Sequence, residues 1–151
     1  MRKTLQKSKR IELINKWNSN CSYCGIGINA QTAQIDHGIP LVLQDSISLL
    51  GLSAQLPSAD LNDDWNLFPS CRKCNNWKGG MTIKQFRFEL SKQVERCRRY
   101  SRNYRIASRF GLVVSMKNSV DFYMDHKVGM GITEFDQYEA IKRHSITNVP
   151  K

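Results

Sequence analysis

Apolar positions recur at helical spacing near both ends of the chain and lose that spacing in the middle. Residues 3–17 set Leu5, Ile11, Ile14 and Trp17 loosely on one face, which predicts a short helix. Residues 82–110 are more regular. Thr82 and Gln85 form a capping-box pattern, Ile83, Phe86, Leu90, Val94 and Cys97 follow at helical spacing, and Gly111 is the stop. Between them, 33–43 reads as extended, because Gly38 and Pro40 break any helix. Residues 44–64 form a connection with a short helical turn before Pro57, and 65–80 ends on Gly79-Gly80. Residues 112–131 are mixed, extended around Val120 to Met124, and Thr133 caps a last short helix to about His144. Without repeats, low-complexity tracts or linkers, 1–151 is expected to be a single domain.

Composition adds the class. With 40% hydrophobic and 24% charged residues the chain is a folding one, and no apolar run reaches the roughly 18 residues of a membrane span. The segment Ile11 to Ile14 is too short and polar for a signal-peptide core, so a cytoplasmic, reducing location is expected, with no membrane partner. Net charge is +10 and unevenly spread. Residues 1–16 hold six basic and one acidic residue, 36–64 hold five aspartates and no Lys or Arg, and 84–109 hold nine basic against two acidic. Basic arms around an Asp-containing centre suit a polyanionic partner such as DNA, through counterion release.

Four of the five cysteines form two knuckles, Cys21-x-x-Cys24 and Cys71-x-x-Cys74. A tight turn brings two thiolates within about 4 Å, and two such pairs complete a tetrahedral zinc site. A saturated four-thiolate site leaves no open position, so this Zn²⁺ would be structural. The competing reading is four ordinary buried or redox cysteines. Cys97 falls on the apolar helix face and reads as a buried thiol rather than a fifth ligand.

Between the knuckles lie Ile35-Asp36-His37-Gly38-Ile39-Pro40, then Trp65-Asn66-Leu67-Phe68-Pro69-Ser70-Cys71, then Cys74-Asn75-Asn76-Trp77-Lys78-Gly79. These segments resemble the HNH endonuclease family, whose pattern runs from a first CxxC through apolar-Asp-His-x-x-Pro. It continues to Asn-Leu, a second CxxC, an Asn or His, and a Lys. The match covers about residues 20–80. The resemblance implies an α+β fold: a ββα-metal core over about 17–80 with two zinc knuckles, flanked by N- and C-terminal helices. A basic helical extension over 82–110 and a tail over 112–151 of unassigned role complete the domain. It implies a metal-dependent nuclease with His37 as general base, Asp36 and Asn75 as ligands of one divalent cation, and Asn66 bracing the loop and orienting His37. Asn75 is preferred to Asn76 because it directly follows Cys74.

Elementary chemistry agrees. A neutral imidazole can take a proton from water near pH 7. A hard cation, Mg²⁺ or Mn²⁺, prefers oxygen, which Asp and Asn supply. Adjacent strand residues point to opposite faces, so Asp36 and His37 converge only if a bulge or twist intervenes, as at Gly38. Two features depart from the family pattern. The last motif position is Asn, the HNN version, and the connection after Pro40 is long and apolar. Leu41, Val42, Leu43, Ile47, Leu49, Leu50 and Leu52 give it a core-like or partner-binding character, which allows self-association through 41–52.

In the extension, Arg98, Arg102, Arg105 and Arg109 follow 4-3-4 spacing and would share a phosphate-tracking face, or else a solvated one. Lys78 either touches phosphate or is solvated. The rival function is a non-catalytic, zinc-stabilised nucleic-acid-binding module, which would not need the Asp-His-Asn-Asn constellation. A scaffold using the apolar connection would explain neither the charge nor the histidine.

Overall fold

Helix α1 (Lys7–Lys16) begins the fold in the computed structural model, which describes residues 5–116 and 118–126. It buries Ile14 and, at its end, Trp17 as expected, with Leu13 beside them, while Ile11 is exposed. Strands β1 (Ala33–His37) and β2 (Leu67–Cys71) pair antiparallel, from Ala33 opposite Cys71 to His37 opposite Leu67. Helix α3 (Arg72–Lys78) follows β2 without a gap and packs on both strands. The fold is therefore α+β, with a small two-stranded sheet.

Pro69 is tolerated in β2 because a two-stranded sheet has only edges. Its carbonyl points away from β1 and accepts from both the Ser22 N–H (2.9 Å) and the Ser22 hydroxyl (2.7 Å), which fastens the first knuckle alongside β2. The knuckle turns at Gly25, whose φ of +74° suits glycine and whose open side is filled by the Tyr123 ring.

The connection between the strands is more helical than its glycine and proline suggest. Residues 41–43 are a 3₁₀ turn rather than extended chain, α2 (Gln44–Leu49) follows, and a second 3₁₀ turn (Leu52–Gln55) occupies the place expected before Pro57. Ile47 is buried, and Leu41, Leu43 and Leu52 pack against the core. Val42, Leu49 and Leu50 are exposed.

The expected single helix over 82–110 is three. Helix α4 (Ile83–Ser91) opens with the capping box of Thr82 and Gln85. Helix α5 (Gln93–Tyr100) ends at Ser101, whose extended backbone (ψ 113°) and side chain instead cap α6 (Arg102–Arg109). A serine offers its own hydrogen bond to the backbone and so starts a new helix. The turn leaves Val94 and Cys97 exposed rather than buried.

The core gathers Ile14, Trp17, Tyr23, Ile39, Phe68 and Phe86 with Phe122 and Met124. The last two come from a segment ending in a 3₁₀ turn (Tyr123–His126), where an extended run was expected. It is pinned to the first knuckle by Tyr123 N–H to Tyr23 O and Met124 N–H to Ser22 O, both 2.9 Å. The expected helix from Thr133 lies outside the described residues. Among those described, no helix is long and apolar enough to cross a membrane.

Candidate functional site

The knuckles meet. The sulfurs of Cys21, Cys24, Cys71 and Cys74 lie within 4.8 Å of one another, with Cys24 and Cys71 3.9 Å apart. Thiolates about 2.3 Å from a tetrahedral zinc stand about 3.8 Å apart, so the four are close enough to bind one zinc ion. None of the five cysteines is joined in a disulfide. The Cys74 N–H donates to the Cys71 sulfur. The Cys74 thiol donates to Cys21, which holds the Cys21 thiol down to about 5 despite burial and raises Cys74 far above its ordinary value. Burial pushes Cys24 up as well. A divalent cation at the cluster would favour the ionised form of its ligands.

Strand β1 runs in register to His37 with no bulge, so its side chains alternate. Asp36 turns towards α3 and Tyr23. Its Oδ2 accepts from the Tyr23 hydroxyl at 2.5 Å and lies 3.0 Å from the Lys78 ammonium. Lys78 also donates to the His37 carbonyl at 2.8 Å. The lysine is 1% exposed, so it is a buried counter-charge and not a phosphate contact; its stem is covered and its ammonium committed to the strand. Burial lowers the Lys78 pKa while Asp36 pulls it back up. Burial likewise raises the Tyr23 hydroxyl, with Asp36 adding to the effect.

Both contacts fall on Oδ2, which leaves Oδ1 of Asp36 without a partner among the described residues. Asn75 behaves alike: its amide nitrogen donates to Gln34 Oε1 at 2.6 Å, leaving its own oxygen without a partner among the described residues. Gln34 and Asp36 are two apart on one face of β1. Asp36 on β1 and Asn75 on α3 carry oxygen donors of the kind that Mg²⁺ or Mn²⁺ prefers, with the Lys78 ammonium 3.0 Å from the Asp36 carboxylate.

His37 faces the other side. The residue borders a cleft of about 630 Å³ that is also lined by Lys9, Arg10, Ile35, Asp60, Asn62, Asp63 and Leu67. Lys9 pairs with Asp64 and Glu12, and Arg10 donates to the Ala33 carbonyl. The convergence of Asp36 and His37 on one face does not occur, because nothing interrupts the pleat before Gly38.

Asn66 is fully buried and clamps the chain just after His37. Its Oδ1 accepts from the Ile39 N–H, and its amide nitrogen donates to the carbonyls of Ile39 and Leu61. Its own carbonyl accepts from the Gly38 N–H at 3.0 Å.

The four arginines do not share one helical face. Arg98 stands on α5, and Arg102, Arg105 and Arg109 on α6, beyond the turn at Ser101. All four are exposed. Arg105 also donates to the Arg99 carbonyl at 2.7 Å, closing the end of α5. Sequence reasoning missed Tyr23, which no local pattern distinguishes, and Lys9 and Arg10, whose only signal was the basic N-terminal run.

No family model matches the chain, and no curated protein does. Among solved structures, the chain is similar to the Type II-C Cas9 enzyme from Actinomyces naeslundii, at 17% identity and a TM-score of 0.42. The likeness covers 94% of this chain and 15% of that one.

Proposed function

We propose that this chain is a metal-dependent endonuclease of the HNH type that hydrolyses DNA phosphodiester bonds, with β1, β2 and α3 as its ββα-metal core. The observation that carries the reading is the composition of β1's end. One face offers the free oxygens of Asp36 and, beside it on α3, Asn75. The other places His37 in a cleft with Lys9 and Arg10. Asp36 and Asn75 would hold one divalent cation, which when bound supplies charge neutralisation at phosphorus. His37 takes the proton from the attacking water as general base. Because Asp36 and His37 face opposite sides of β1, they can serve one phosphate only across the strand end at Gly38. Asn66 holds that end in place through Gly38 and Ile39. The four cysteines hold a structural zinc, and the exposed arginines of α5 and α6 track DNA phosphates.

The test is nicking of supercoiled DNA with and without Mg²⁺ or Mn²⁺. Wild type is expected to nick only with the divalent ion. His37→Ala is expected to lose about 10²–10⁴ in rate at every metal concentration. Asp36→Ala and Asn75→Ala are expected to regain part of their loss at high metal. A wild-type chain that binds DNA yet never nicks it would make this a zinc-stabilised binding module. A His37→Ala chain that cuts at the wild-type rate would remove His37 from the mechanism.

A further inference from the structure

We infer that Tyr23 is a positioning residue for Asp36, and that through it the four-cysteine cluster sets the divalent-cation affinity of the Asp36 face. The inference rests on the reading of Asp36 as a cation ligand.

Tyr23 is carried between Cys21 and Cys24, so its backbone is part of the first knuckle. Its neighbour Ser22 is tied to the Pro69 carbonyl by two hydrogen bonds, and its own carbonyl accepts from Tyr123. The ring is fully buried and gripped edge-on by Phe86 and Phe122, with centroids at 5.4 and 5.3 Å. The hydroxyl therefore has one direction, and it ends 2.5 Å from Asp36 Oδ2. A buried tyrosine needs a partner, and a carboxylate would serve for that alone. Here, however, Lys78 already neutralises the same oxygen at 3.0 Å. Two donors on Oδ2 fix the rotation of the carboxylate and present Oδ1. The groups that orient a metal ligand commonly change metal affinity by about 10–100-fold when removed. Loosening the knuckle would release the ring backbone, and with it the direction of Oδ1.

The test uses the full, zinc-loaded chain with Mn²⁺ as probe, its binding read from the loss of the free-ion EPR signal and its zinc content measured in parallel. Wild type is expected to bind one Mn²⁺ beside its zinc, and Asp36→Ala to lose it. Tyr23→Phe keeps the ring packing and is expected to retain zinc but bind Mn²⁺ about tenfold or more weakly. A Tyr23→Phe chain with full zinc and wild-type Mn²⁺ affinity overturns the inference and leaves the Asp36 reading standing. A wild type that binds no Mn²⁺, or an Asp36→Ala chain that binds it as wild type does, overturns both. If Tyr23→Phe fails to take up zinc, wild type with cobalt in the cysteine cluster replaces it. Its thiolate–cobalt absorption is expected to shift as Mg²⁺ fills the Asp36 face, and a band that stays fixed while Mg²⁺ binds overturns the coupling.

Discussion

The side-chain amide of Asn66 straddles the backbone of Ile39, accepting from its N–H at 2.7 Å and donating to its carbonyl at 3.0 Å. A third bond reaches the Leu61 carbonyl at 2.8 Å, so one buried amide joins both ends of the connection between the strands. Asn66→Ala strands one donor and two acceptors in the interior, and a buried unpaired group costs about 1–3 kcal/mol. The expected loss in chemical denaturation is about 3 kcal/mol. Asn66→Asp keeps the shape but sets a carboxylate against two carbonyls, and is expected to cost at least as much. An Asn66→Ala chain as stable as wild type would show that the clamp is not needed for the fold.

The zinc expectation is one ion per chain, with Cys71→Ser losing it. Because binding energy at a structural zinc site is folding energy, chelation is expected to lower the melting temperature sharply and to expose Trp17, Tyr23 and Phe68. Metal analysis and a thermal melt with and without chelator check this. A metal-free chain with the wild-type melt would leave the cluster as four packed thiols.

For the basic extension, reversing Arg102 and Arg109 is expected to weaken DNA binding and flatten its salt dependence by about 0.9 per lost phosphate contact, with little change in sequence preference. Arg98, on a separate helix, is expected to add independently. Arg105→Glu also removes the bond to the Arg99 carbonyl and is expected to cost about 1 kcal/mol of stability as well. Binding isotherms at several salt concentrations decide it; reversals that leave affinity and slope unchanged would mean the face is merely solvated.

Arg87 fixes the 119–126 segment by a bidentate pair with Asp125 (2.6 and 2.8 Å) and a bond to the Val120 carbonyl. Burial pushes Asp125 up, but Arg87 and the Phe122 N–H outweigh it and hold the carboxyl below its ordinary value. A depressed folded pKa contributes stability that is present above the unfolded value and is lost as pH falls through the folded one. The acid arm of a pH–stability profile is therefore expected to contain this loss, and Arg87→Met to remove it, by about 1 kcal/mol or less because solvent screens the pair. An unchanged acid arm in Arg87→Met would refute the linkage.

Features fixed by short spacing were legible in the chain. The two CxxC pairs, the capping box of Thr82 and Gln85, the helix around Ile14 and the strand carrying Asp36 and His37 all depend on neighbours within a few residues, where geometry is set by the local backbone. Ser101 was legible in principle, being a capping residue, but an unbroken apolar repeat masked it; exposed Val94 and Cys97 record that repeat without a core to meet it. What a residue does within the fold was decided by contacts far along the sequence. Lys78 reads as solvated or phosphate-binding, yet it is buried against Asp36 and His37, the latter 41 positions away. Tyr23 is an unmarked position inside the first CxxC, yet its hydroxyl donates to Asp36, 13 positions away. Phe122 and Met124, in a stretch without a clear period, complete the core beside it. A charge pattern gives the sign of a side chain but not its burial. In the buried region around β1, the pairing of Lys78 with Asp36 follows from the cost of leaving either charge alone.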